Sequence, residues 1–359
     1  MKQNRGIEAL GERLRTRQIP LGWVIIAVVL ILLIIVPFAW KDNSYYVHIV
    51  ITIFIWGYMA TAWGLVGQSG QLSFGHAAFM GIGAYTTGIL YSQFGVTPWL
   101  GVFVAIGLAT LGGVIIGIPT LRLRGVYFAL ATFAFGFIIL MIVKNATYIG
   151  PVYIGGGAFL TLPRAGQAPA VFQFESKTPY YFMALAMLAG IVYLSHWFNR
   201  SRMGFYWTAI RGDQDAAESL GIDAAKYRLR AFLISCALTG LGGAFFMQYF
   251  RFFSPQKVLD VSQSIQIALI GIVGGWQSVF GPMIGGFIIV PVAELLRLNL
   301  GAFPAMSPII YGIILMLFIL FMPNGVNEPF MRGLNWLERK YWRPSQNANN
   351  ENNEKVGRQ

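Results

Sequence analysis

The sequence predicts an all-α protein that crosses a membrane about ten times, some crossings being short or discontinuous. Three observations predict it. Hydrophobic residues make up 56% of the 359 and charged residues only 11%, against roughly 25% charged in a soluble domain. The apolar residues come in runs of span length, since about 20 residues at ~1.5 Å each cross a ~30 Å hydrocarbon core. The bases gather beside alternate gaps between these runs. A transmembrane β-barrel would need short segments of alternating polarity, and the chain has none.

The runs fall at about 21–40, 46–66, 76–93, 98–118, 125–143, 179–198, 231–250, 262–276, 281–298 and 308–323. A basic leader, residues 1–20, precedes the first. That run is too long for the apolar part of a signal peptide, and no small-residue cleavage site follows it. It is read as an uncleaved first span. The runs near 76 and 262 are short and rich in Gly and Ser. Residues 144–178 hold GPVYIGGGAFLTLP, too rich in Gly and Pro for a regular helix. The tail, residues 324–359, ends in PSQNANNENNEKVGRQ, a polar low-complexity stretch expected to be disordered.

Orientation follows from Lys and Arg, which favour the cytoplasmic side. With the N-terminus inside, 19 of the 26 bases fall in the leader, the LRLR gap, the 199–230 loop and the tail, and 7 fall outside. Both termini and the 199–230 loop are therefore expected in the cytoplasm, and 144–178 on the other side. The net charge of +12 reads as a topology signal with some attraction to anionic lipid. The bases are too dispersed for a nucleic-acid partner.

Several chemistries are unsupported. There is no Gly-Lys pair and so no P-loop. Neither a zinc-protease helix nor a nucleophile elbow is present. Cys236 is the single cysteine, and His48, His76 and His196 have no metal-ligand spacing. No cofactor, metal or catalytic residue is expected. The spans are nearly free of ionisable groups, which a proton- or sodium-coupled carrier usually keeps. Glu294, His48, His76 and His196 lie near span ends without an obvious partner.

Two stretches stand out. In GLVGQSGQLSFGHAAFMGIGAY (64–85), Gly64, Gly67 and Gly70 are expected to interrupt one span, and Gln68, Gln71, Ser73 and His76 follow. Polar groups and broken backbone at membrane depth need protein or a water-filled cavity around them. The stretch reads either as a discontinuous helix lining a path or as a turn with packing glycines. GIVGGWQSVFGPMIGG (271–286) echoes it with one gap, as in a protein of two related halves. The other stretch is RGDQDAAESLGIDAAKYRLR (211–230), with four acids and four bases in twenty residues. There Asp215 and Glu218 have the spacing of a capping box, and Gly221 suits a left-handed helix end.

Together GQSGQLSFGHAAFMGIGAYTTGIL, PTLRLRGVYFALATFAFG, GFYWTAIRGDQDAAESLGIDAAKYRLRAFLISCALTGLGGAFF and IGIVGGWQSVFGPMIGG resemble the permease subunits of ABC importers for branched-chain amino acids, in the LivM-type branch. The urea and amide permeases are near relatives. The resemblance covers about 46–323, so residues 21–323 form the permease domain. It implies a bacterial inner-membrane subunit that works with a second related permease, two ATP-binding subunits and a periplasmic binding protein. ATP would be hydrolysed by the partners.

It also implies that Asp215, Ala216, Ala217, Glu218 and Gly221 form the loop that docks into the ATPase. Asp215 stands where the family usually has Glu, and the Leu-Pro that often follows is missing. The alternative is a solvated connecting helix. Gly67, Gln68, Gly70, Gln71, Ser73, Gly75 and His76 are the expected path residues. YIGGGAFLTLP (153–163) departs from the family's pattern, with Phe159 near the position of a glycine. The cargo implied is a branched-chain or other apolar amino acid. Urea or a short amide is the alternative within the family, and a stand-alone carrier or channel the alternative outside it.

Overall fold

A computed structural model describes residues 32–38, 43–120, 123–163, 166, 169–300, 306–322, 325–329 and 332–333. They divide into a main unit, residues 43–327, and the flanks up to 42 and from 328. In the flanks, residues 32–38 are helical and Arg332 pairs with Glu328. The expected leader, most of the first run and most of the tail lie outside the described residues.

Each of the nine later runs is a helix. In chain order they are α1 (Ser44–Gln68), α2 (His76–Phe94), α3 (Pro98–Thr120), α4 (Val126–Asn145), α5 (Thr178–Arg200), α8 (Ala224–Phe250), α10 (Val261–Gly274), α11 (Gly281–Asn299) and α12 (Met306–Phe321). Three short helices fall between them: α6 (Arg202–Gly212), α7 (Gln214–Ser219) and α9 (Pro255–Val258). α8 starts well before its apolar run because Asp223 caps it, the carboxylate accepting from Lys226 N at 2.9 Å.

Among the described residues seven helices are long and apolar enough to cross a membrane: α1, α3, α4, α5, α8, α9 with α10, and α11. The chain is a multi-pass helical membrane protein. α2 is less apolar than these because protein surrounds it. Twelve of its 19 residues are buried, chiefly against α8 and α3. α1 is central in the same sense, with Ile51, Phe54, Met59, Trp63 and Leu65 each 0% exposed. A helix buried on all sides belongs to the centre of a bundle. α4 buries only five residues and turns Val126, Leu130, Phe137 and Ile142 outward.

Helix direction gives the bundle two ends. One end carries Arg124, α6 and α7 and is called here the basic end. At the other end residues 146–177 fold without a helical span, as their glycines require. Tyr148–Ile149 (β1) pairs with Val152–Tyr153 (β2), and Leu160–Thr161 (β3) pairs with Phe252–Phe253 (β4), both antiparallel. Gln93 ties this layer to α2, its Oε1 accepting from Tyr153 N at 3.1 Å.

Three of the ionisable groups read as unpartnered in the sequence have partners. Glu294 pairs with Arg297 and accepts from Tyr45 Oη at 3.2 Å. His48 Nδ1 bonds Tyr249 Oη. His76 is fully enclosed, as described below, and His196 stacks loosely on Phe280.

Small residues set the helix spacing. Without a hydrophobic drive between helices in lipid, close packing carries the association. A Cβ on Gly243 of α8 would collide with the Met80 backbone carbonyl of α2, whereas one on Gly190 of α5 meets nothing within 4 Å. Gly243→Ala should therefore cost about 1–3 kcal/mol through overpacking. Gly190→Ala should be neutral or stabilise by up to about 1 kcal/mol through helix propensity. Thermal unfolding of the two variants in the same detergent measures the difference, and equal midpoints would contradict it.

Candidate functional site

Two helix breaks and one hairpin meet at the basic end. The first break follows α1. Gly64 and Gly67 do not interrupt that helix, contrary to expectation: they lie inside it and pack closely. A Cβ on Gly64 would come 2.9 Å from Pro282 Cγ, and one on Gly67 would come 2.8 Å from Trp276 Cε3. The interruption comes at Gly70, which has φ +82°. Residues 71–75 then run back beside α1, for Trp63 Nε1 donates to Ser73 O at 2.7 Å. α2 thus begins level with Ala62, well inside the bundle.

That buried helix start needs partners for its free amide groups, and side chains from two other helices supply them. Phe74 N donates to Thr132 Oγ1 of α4 at 3.1 Å, and Ala77 N donates to Ser264 Oγ of α10 at 2.8 Å. His76 joins the rest. Ser235 Oγ of α8 donates to Ala62 O at 2.7 Å, so it can only accept from His76 Nε2, also at 2.7 Å. Nε2 therefore carries the proton, and Nδ1 accepts from Ser73 Oγ at 3.0 Å. The imidazole is neutral and spent on structure.

The structure thus brings Ser73 and His76 into one network. Gln68 and Gln71 are buried beside it, at 5% and 2% exposure. Gln68 Nε2 donates to Ser195 Oγ at 3.2 Å, while its buried Oε1 accepts from no described group. A Cβ on Gly75 would collide with Thr132 O, so Gly75 is a packing glycine too.

The second break, between α10 and α11, repeats the first. Gly275 has φ +101°, and Gly281 N donates to Ser278 Oγ at 2.8 Å. In both breaks a Phe-Gly pair opens the next helix, at Phe74-Gly75 and at Phe280-Gly281. The weak echo between 64–85 and 271–286 is therefore a structural repeat of helix, break and helix.

The hairpin of α6 and α7 holds the charged stretch. Its Ile210 and Ala217 form a small core with Ala224, the first residue of α8. Trp207 fastens it to the bundle by packing on Leu65, Phe198 and Ala231, and Trp207 Nε1 donates to Tyr227 O at 2.9 Å. The expected capping box is corrected here. Asp213 is the cap, accepting from Ala216 N at 3.0 Å. Asp215 lies one position inside the helix and points away to Arg124, at 2.9 Å, with Glu218 3.9 Å from the same guanidinium. The chain takes the nearer aspartate because Asp213 alone is extended, at φ −153° and ψ 113°, the backbone that an N-cap adopts.

Gly221 has φ +84° with open space where a Cβ would be. Ala216 is exposed and Ala217 buried. Leu220 is 83% exposed, an apolar side chain facing outward on a polar hairpin. Sequence reasoning passed over Leu220, Asp213 and Arg124. An isolated Leu before a helix-ending Gly was the available signal for the first, its residue type as a helix cap was the signal for Asp213, and Arg124 had none.

The chain's residues 45–320 match the family described as "Branched-chain amino acid transport system / permease component". It is 29% identical over 280 residues to the "High-affinity branched-chain amino acid transport system permease protein LivM" of Escherichia coli (strain K12), covering 73% of this chain and 65% of that protein. It is 24% identical over 284 residues to the "Probable branched-chain amino acid transport permease protein LivH" of Methanocaldococcus jannaschii, covering 75% of this chain and 85% of that one. The chain therefore spans less than two thirds of the length of its LivM relative. No solved structure matches it.

The two aspartates of α7 should behave differently. Asp213→Ala removes a cap worth about 0.5–2 kcal/mol, so amides of 214–217 should exchange hydrogen about 2–30-fold faster. Asp215→Ala removes an exposed ion pair worth about 0–1 kcal/mol and should change them little. Faster exchange in Asp215→Ala than in Asp213→Ala would restore Asp215 as the cap.

Proposed function

The chain belongs to the family of branched-chain amino acid transport permeases, and from that premise we propose that it is a membrane-spanning subunit of an ATP-driven importer in a bacterial inner membrane. The observation that carries the reading is the hairpin of α6 and α7. It is anchored in the bundle by Trp207 yet turns Leu220, Ala216 and Gly221 outward. An exposed apolar residue flanked by small ones, on a rigid mount, suits a groove in a partner. The partner is an ATP-binding subunit at the cytoplasmic face. The full assembly pairs this chain with a second permease, two ATP-binding subunits and a periplasmic binding protein.

Cargo, a branched-chain or other apolar amino acid, arrives at the end that carries β1–β4. It leaves past the helix breaks. Gln68, Gln71, Ser73 and His76 abut this route from inside the bundle and keep the first break in shape, with Gly67, Gly70 and Gly75 allowing the close backbone. Gln68 Oε1, buried and without a donor, is the acceptor free to meet a substrate ammonium. The chain itself hydrolyses nothing.

Three results are expected. The first concerns orientation: in a Cys236→Ala background, a cysteine at Gly221 should resist an impermeant thiol reagent in intact cells and one at Gly156 should react. The second concerns assembly: ATP-binding subunits should co-purify with the chain, and their absence would favour a stand-alone carrier. The third concerns docking. Gly221→Val strains a left-handed residue while its Cβ has no neighbour within 4 Å, so the variant should reach the membrane but recover fewer ATP-binding subunits and lose stimulated ATP hydrolysis and uptake together. Full recovery and wild-type stimulation in that variant would leave the hairpin a solvated connector.

A further inference from the structure

Arg211 closes α6, two residues before the cap of α7, and it touches both helix breaks. Its backbone rides on the first, for a Cβ on Gly70 would lie 3.1 Å from Arg211 Cα. Its guanidinium reaches the second, Nη1 donating to Gln277 O at 3.4 Å. The second break also packs on the last turn of α1, just before the first, since Trp276 covers Gly67.

The contacts differ in kind. The first break is held by side chains from α1, α4, α8 and α10. The bonds within the second are local, at Ser278 and Gly275. Among the described residues one hydrogen bond reaches it from a distance, from Arg211 to Gln277 O; Val326 N donates to Val273 O, in α10 just before the break, at 2.8 Å. Arg211 is half-buried, and loss of hydration lowers its pKa, yet a guanidinium stays charged in any protein setting. A half-buried cation donating to a backbone carbonyl is a directional tie, here a long one at 3.4 Å.

We propose that Arg211 is the positioning residue through which the docking hairpin acts on the translocation path, bearing on Gly70 of the first break and holding Gln277 O of the second. A shift of α7 moves Asp213 and hence Arg211, because the Ile210–Ala217–Ala224 core makes the hairpin one body. The second break, tied by fewer distant bonds, then yields while the first stays fixed. Gln277 is exposed and has room to move. This inference rests on the importer reading, so one of its tests is independent of partners.

That test is hydrogen exchange on the full chain in detergent. Arg211→Met should speed exchange at residues 276–280 about fivefold, as expected for loss of a bond worth ~1 kcal/mol, and leave 214–220 unchanged. Equal rates at 276–280 would overturn the tie whatever the partners do. The second test uses the whole complex in proteoliposomes. Arg211→Met should keep its ATP-binding subunits and its stimulated ATP hydrolysis, while cargo moved per ATP falls about tenfold, within the usual range of coupling between sites. Arg211→Lys, which keeps a donor, should recover part of that ratio. Unchanged cargo per ATP in Arg211→Met, or loss of subunits and hydrolysis together, would make Arg211 an ordinary structural residue. A wild-type complex that moves cargo without ATP-binding subunits would overturn the importer reading, and this inference with it, even where the exchange result stands.

Discussion

A broken helix inside a membrane must find partners for its own backbone, and the centre of this protein is arranged around that requirement. Lipid offers no hydrogen bonds, and each unmet polar group at that depth costs several kcal/mol. The break between α1 and α2 meets the requirement with side chains brought from other helices. Thr132 takes Phe74 N, Ser264 takes Ala77 N, and His76 bridges Ser73 to Ser235. This is why α1, α2, α8 and α10 converge on one point. It is also why α2 can be short and only moderately apolar, since it never faces lipid along most of its length.

Convergence at that density needs thin helices. Gly83 lets α2 approach α8, Gly240 lets α8 approach α3, and Gly286 lets α11 approach α1, for a Cβ at any of the three would press into the facing helix. Two kinds of glycine are therefore mixed in one sequence. Those inside helices serve distance. Gly70 and Gly275, with positive φ, serve direction, because a side chain at those angles would be strained. The polar network and the small-residue contacts depend on each other. The hydroxyls reach the break only because the backbones are close, and the backbones stay close partly through those bonds.

This mixture explains what the sequence could and could not reveal. Span positions were legible because length and apolarity are set by the bilayer itself. The irregular stretch at 144–178 was legible from its Gly and Pro. The place of the first break was only half legible, since Gly64, Gly67 and Gly70 look alike in one dimension and differ only in what lies across from them. The cap of α7 was misassigned for a similar reason. Asp213 and Asp215 are both good caps by type, and the spacing to Glu218 favoured the wrong one. Backbone angles at the corner after α6 decide the matter, and these depend on Trp207 packing under Leu65 and Phe198. The role of Arg211 was not legible at all, because its partners lie far from it in sequence, at Gly70 and Gln277.

The two halves repeat one motif but do not treat it equally. In the first, an exchange of hydrogen bonds among four helices fixes the break, and Ser69, Ser73 and His76 are each 0% exposed. In the second, Ser278 and Gly275 close the turn on themselves, and Gln277 is exposed. Each net hydrogen bond is worth about 0.5–1.5 kcal/mol, so the several extra bonds hold the first break in place more strongly by a few kcal/mol. A pair of related elements with unequal stiffness has a defined order of response to a common load. In the proposed importer the load would enter through the hairpin, whose Arg211 lies against Gly70 of one break and bonds Gln277 O of the other. Stiffness in the first half is thus what allows displacement in the second to be read as movement of one break against the other.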